Sequence, residues 1–82
     1  MKIVFLPHAR DQMQEYGISE ERARATLSTP DHEYPSYKER FVAEKVFPGD
    51  RLAVKVVYNT GVGTERVVVT VMRGRPLHGK EG

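Results

Sequence analysis

Three valine-rich stretches, Arg40 to Phe47, Arg51 to Asn59 and Glu65 to Arg73, follow one another in the second half of the chain. Pro48-Gly49-Asp50 separates the first two and Gly61-Val62-Gly63 the last two, and both tripeptides supply the turn chemistry that closes hairpins. β-Branched residues alternating between such turns predict three antiparallel strands. In the middle stretch Leu52, Val54, Val56 and Tyr58 share one face, expected to meet the core, while Arg51, Ala53, Lys55 and Val57 share the other. In the last stretch Val67, Val69 and Val71 form the more apolar set and are assigned inward, which turns Arg66, Val68, Thr70 and Met72 outward. A four-residue loop between Thr60 and Glu65 would set Lys55 opposite Thr70, and a two-residue Pro48-Gly49 loop would bring Arg40 beside Lys55. The outward face then mixes valines with Arg40, Lys55, Arg66 and Thr70, the composition of a binding surface or of an interface between identical chains.

The first half reads at helical period. Pro7 suits the first position of a helix, Ala9, Met13 and Tyr16 fall on one stripe, and Gly17 ends the element. Ser19 is the N-cap of a second helix whose first turn carries Glu20 and Glu21, with Ile18 placed to pack on Ala23, Leu27 facing inward and Pro30 as the stop. Ile3 to Leu6 is strand-like, and Asp31 to Ser36 reads as a loop or a poor edge strand. The expected fold class is α+β, with two N-terminal helices on one face of a three- to four-stranded antiparallel sheet. The predicted core is Met13, Leu27, Leu52, Val54, Val56, Val67, Val69 and Val71. One domain should cover residues 1–73, leaving 74–82 as a flexible tail.

At 82 residues folding buries only about 60 to 65% of the extended chain's surface, enough for one thin core. Cysteine is absent, which removes disulfides, thiolate nucleophiles and thiolate metal sites together. No apolar run approaches the roughly 20 residues of a membrane helix. A secretory signal is not expected, and a cytoplasmic location is. Charge is uneven: residues 1–37 carry −2 and residues 38–82 carry +4. A basic half suits RNA, although Lys and Arg also guard strand edges.

His8, His32 and His78 match no metal-ligand spacing, so no metal and no other cofactor is expected. His32 and His78 read as solvated. His8 sits in the first helical turn with Asp11 and Gln12 on neighbouring positions, where it either closes the helix start or serves as a base. RNA supplies its own 2′-hydroxyl nucleophile, so a nuclease needs only a base, a cation for the charged transition state and an acid. His8, Lys55, Arg40 and Thr70 are of those types.

The segment His8-Ala9-Arg10-Asp11-Gln12-Met13, then Tyr16-Gly17-Ile18-Ser19, Pro30-Asp31 and the strands Arg51 to Val57 and Val67 to Val71 resemble the family called domain of unknown function 4258, from about Ile3 to Met72. The resemblance implies the barnase, EndoU, colicin and RelE-like ribonuclease fold, in which helices cover one face of the sheet and RNA meets the other. It implies catalytic roles for His8, Lys55 and Thr70 and, for a RelE-like toxin, an antitoxin-like protein partner, while a binding module of the same fold would use Arg10, Arg40, Lys55 and Arg66 as RNA ligands. Gln12 and Tyr16 stand where relatives commonly carry Arg, and Leu6 where a Ser or Thr would cap the helix. Two classes of function follow as expectations: a metal-independent ribonuclease toxin of RelE-like type, or a module of the same fold that binds RNA or protein, or self-associates, without catalysis.

Overall fold

Pro7 and Gly17 bracket the first helix, α1 (Pro7–Tyr16), in the expected way. Pro7 occupies the first turn, Gly17 takes the left-handed conformation (φ 67°), and the Gly17 amide donates to the Gln14 carbonyl. Leu6 is the N-cap and offers no side-chain acceptor. The second helix, α2 (Glu20–Ser28), is capped by Ser19, whose hydroxyl accepts from the Arg22 amide at 3.1 Å. These elements belong to a computed structural model that describes residues 1–77; His78 and the rest of the expected tail lie outside the described residues.

Five strands form one sheet: β1 (Ile3–Phe5), β2 (His32–Pro35), β3 (Phe41–Lys45), β4 (Ala53–Thr60) and β5 (Arg66–Gly74), in the order β1-β5-β4-β3-β2. The fold is α+β, but the sheet is mixed and five-stranded rather than antiparallel with three or four strands. The short Ile3–Phe5 segment pairs parallel to β5, and the polar His32–Pro35 segment pairs antiparallel to β3. Each covers an edge that the hairpin meander would leave open, which is a tertiary reward invisible to local pattern.

Both helices pack on one side. Ala9 and Met13 of α1, Ala23 and Leu27 of α2, and Ile18 between them join Phe5, Ala43, Val54, Val56, Tyr58, Val68 and Val71 in one cluster. Three expected core positions are corrected. Leu52 is 42% exposed because the β3–β4 ladder ends at Lys45 opposite Val54, leaving Leu52 beyond it in the connecting loop. Val67 and Val69 are only half-buried, and Val68 takes the inward place. The cause is a β-bulge. Tyr58 pairs with Val68 while Val57 pairs with Thr70, so Val69 is an extra residue and the alternation of β5 reverses across it. Close to the bulge, Gln12 of α1 accepts from the Val71 amide at 3.2 Å.

The same register corrects the outward face. Lys55 lies opposite Met72 and Glu44, not opposite Thr70 or beside Arg40; Thr70 faces Val57, and Arg40 precedes β3. Arg66 pairs with Thr60 on the Tyr58 side of the sheet, away from Lys55. Among the described residues no helix is long and apolar enough to cross a membrane.

The bulge makes a direct prediction about adjacent valines. Val68→Asp buries an unpaired carboxylate and should cost several kcal/mol, unfolding much of a domain whose whole stability is about 5 to 15 kcal/mol. Val67→Asp should shift the urea midpoint far less. Equal losses for the two variants would contradict the reversal of β5.

Candidate functional site

The two faces of the sheet carry different polar clusters. On the face away from the helices, Glu44 of β3 is 1% exposed. A carboxylate in that position needs its acceptors filled, and three donors fill them. Lys55 Nζ lies 3.3 Å away, the Tyr34 hydroxyl donates at 3.1 Å, and the Leu77 amide donates at 2.6 Å. Lys55 Nζ is also 3.5 Å from the Tyr34 oxygen. The Lys55 stem passes over Gly74, where an added Cβ would stand 3.1 Å from Lys55 Cε. The chain beyond β5 is therefore tied back across this face as far as Leu77. Burial pushes the Tyr34 phenol above its ordinary pKa, and the Glu44 carboxylate adds to the effect against Lys55.

On the helix side, the end of the sheet beyond the helices holds an open cleft of about 350 Å³ lined in part by Glu33, Phe41, Tyr58, Thr60 and Arg66. Register explains the gathering. Tyr58 lies between Phe41 and Val68, and Thr60 beside Arg66, so their side chains share one side of three strands. Phe41 and Tyr58 stack with centroids 5.8 Å apart, and the Arg66 guanidinium lies 5.5 Å from the Tyr58 centroid. The buried Tyr58 hydroxyl donates to Glu33 Oε2 across the sheet from β2. Burial foremost, and the Glu33 carboxylate second, push the Tyr58 phenol up to about 12.

Beside the cleft, Ser36 to Arg40 reverse the chain between β2 and β3. Lys38 and Glu39 both adopt left-handed backbone, with φ of 55° and 60°, conformations that cost non-glycine residues about 1 to 2 kcal/mol each. Tyr37 stands out from the turn at 84% exposure. Lys38 and Arg40 have no ion-pair partner among the described residues, whereas Arg22, Arg24, Lys45, Lys55 and Arg73 each have one. Strain, an exposed aromatic and unpaired cations thus coincide at one end of the sheet.

The residues expected to form a site are divided by the sheet. His8 is exposed at the start of α1, on the helix side, while Lys55 and Thr70 belong to the opposite face. Arg10 pairs with Glu20 at 3.2 Å and lies over Phe5, on the same side as Arg66. Arg24 and Arg10 together hold the Glu20 carboxyl below its usual range. Among the described residues no three His, Asp or Glu side chains gather as a metal site. Sequence reasoning missed Glu44, Glu33 and Tyr58 as site residues. Glu44 had a legible signal, since in the β3 alternation it falls on the face of Lys55; Glu33 had none, because its segment read as a loop or a poor edge strand with no register to set its neighbours.

Two outcomes follow. Glu44→Ala leaves Lys55 without its partner and the Leu77 amide without its acceptor, so the domain should lose about 3 kcal/mol in urea titration. Hydrogen exchange at Leu77 should rise with it. Tyr58 should ionise above the ordinary tyrosine range, near pH 12, in an absorbance titration. Its folded pKa lies above the unfolded value of about 10, so its contribution to stability is complete below pH 10 and is lost as pH rises toward 12. Tyr58→Phe should flatten that part of the stability profile.

Neither the curated proteins nor the solved structures contain a significant match to this chain. A family model, described as Domain of unknown function (DUF4258), matches residues 5–73. That span runs from the last residue of β1 through all of β5 except its last residue, and takes in both helices, the bulge, Glu44 with Tyr34 and Lys55, and the cleft: the chain belongs to the DUF4258 family.

Proposed function

We propose that this protein is a small RNA-binding module of RelE-like type, and that it holds single-stranded RNA at the end of the sheet bearing the cleft. The observation that carries this reading is the half-buried Phe41 ring, backed by buried Tyr58 and flanked by Arg66, next to the exposed Tyr37 and to Lys38 and Arg40, which have no ion-pair partner among the described residues. Single-stranded nucleic acid is held by aromatic faces that stack bases and by cations that track the backbone, and both occur here together. A folded RNA duplex would offer neither unstacked bases nor a reason for an exposed tyrosine.

Cleavage by general acid and base catalysis asks for more than this surface offers. His8 starts α1 on the helix side while Lys55 and Thr70 stand apart on the opposite face, and Lys55 is already engaged by Glu44. A base must come within hydrogen-bond reach of the proton it removes while the cation faces the same phosphate. Binding is therefore the better-supported function, and the ribonuclease toxin with an antitoxin partner is the weaker member of the pair.

Labelled single-stranded RNA incubated with the protein in EDTA should be bound and recovered uncut, with His8→Ala behaving as the parent chain. Affinity should fall with salt, and Lys38→Gln or Arg40→Gln should each lower the log–log slope by about 0.7 per lost phosphate contact. Arg51→Gln, at the other end of β4, should leave the slope unchanged. Cleavage in EDTA that disappears in His8→Ala would overturn the binding-only reading, and equal slopes for all four proteins would remove the cleft end as the RNA surface.

A further inference from the structure

Glu33 and Arg66 meet at Tyr58, one bonded to its hydroxyl and the other over its ring, and both line the cleft. An ionised carboxylate only accepts hydrogen bonds, and a guanidinium only donates them. A base that satisfies both must therefore present donors beside an acceptor on one edge. Guanine does so twice over, with N1–H and the N2 amino group adjacent to O6. Adenine and cytosine each set a single amino donor beside a ring nitrogen acceptor, so the carboxylate gains one hydrogen bond from either where guanine gives it two. Uracil carries one N–H between two carbonyls. Glu33 is exposed and the cleft open, so discrimination rests on that additional charge-assisted hydrogen bond from guanine.

We propose that this cleft binds a guanine base of single-stranded RNA, with Glu33 accepting from N1–H and the N2 amino group, Arg66 donating to O6, and the half-buried Phe41 ring giving a stacking surface. The assignment rests on the RNA-binding reading and adds the base to it. Tyr58 is the positioning residue. Its hydroxyl, 3% exposed with its ring, donates to Glu33 Oε2 and fixes the carboxylate, leaving Oε1 and the second lone pair of Oε2 for a ligand's two donors. The high pKa of that phenol keeps it a donor throughout the neutral range. Thr60, on the exposed rim beside Arg66, adds a hydroxyl that can serve as donor or acceptor. The cleft volume, about 350 Å³, falls at the small end of the roughly 300 to 1,000 Å³ of small-ligand sites, suited to one base rather than a whole dinucleotide.

The test is fluorescence anisotropy with oligouridines of about seven nucleotides, within the span one such surface covers, whose central position is G, A, C or U. The central-G probe should bind about tenfold more tightly than the central-A probe. In Glu33→Gln that ratio should collapse to within about twofold. Tyr58→Phe keeps the ring and loses only the orienting hydroxyl, and it should lower the same ratio part of the way; thermal melts by circular dichroism establish that both variants are folded. GMP is the competitor that separates free nucleotide from RNA. Displacement of the central-G probe by GMP, abolished in Glu33→Gln, supports the pocket and shows that the base alone suffices. A G-to-A ratio near one in the parent protein, or a preference that survives in Glu33→Gln, overturns the assignment while leaving RNA binding intact. Failure of every oligonucleotide and of GMP to bind overturns the RNA reading and the guanine pocket together, whereas GMP binding without any oligonucleotide binding overturns RNA as the source of the base.

Discussion

A single unpaired residue in β5 organises both sides of this sheet. Side chains alternate strictly along a strand, so inserting Val69 between the Tyr58–Val68 and Val57–Thr70 pairs moves every β5 residue before it to the opposite face. Val68 thereby enters the core, and Arg66 joins Tyr58 and Thr60. Without the extra residue Arg66 would stand on the face of Lys55, and the cleft would have no cation. The bulge also lies close to Gln12, whose side chain accepts from the Val71 amide and joins α1 to the strand it covers. α1 packs most extensively on β5, so the helix and the irregular strand are positioned as a unit.

Tyr58 links the core to the cleft. Its ring packs among the aliphatic residues beneath the helices while its hydroxyl extends to the edge strand and meets Glu33. A tyrosine with an apolar body and a polar tip is well suited to the boundary between a dry core and a wet groove. Phe41 on one side and Arg66 on the other continue this boundary across three strands. The strained Ser36–Arg40 reversal then sets Tyr37, Lys38 and Arg40 beside it.

The opposite face reaches a different balance. Glu44 is a charge removed from water, and its environment is complete only when β2, β4 and the chain beyond β5 all contribute donors. Such a cluster adds little net stability compared with an apolar replacement, but it penalises arrangements in which any of the three elements is displaced. It also takes Lys55 out of the set of cations free to meet a polyanion. The two faces therefore differ in kind: one is closed by its own chain, and the other ends in an open groove.

The helices, their caps, the hairpin meander and the inward row of Val54, Val56 and Tyr58 were legible in the sequence, because each depends on spacing or on a turn residue within a few positions. The α+β class followed from the same local signals. Which strands paired at the edges was not legible, since Ile3–Phe5 and His32–Pro35 gain their partners from residues far along the chain. Nor was the parity of β5: Val67, Val68 and Val69 are chemically identical, so no pattern distinguishes a regular strand from one carrying an extra residue. His8 and Lys55 could be recognised as residue types suited to RNA chemistry, yet their distance depends on which side of the sheet the helices take. Sequence by itself determined the elements and most of the core, because those are set by short-range backbone and solvation preferences. Tertiary structure alone decided the register, the bulge and the meeting of Glu33, Tyr58 and Arg66, because these follow from how distant strands satisfy one another's hydrogen bonds.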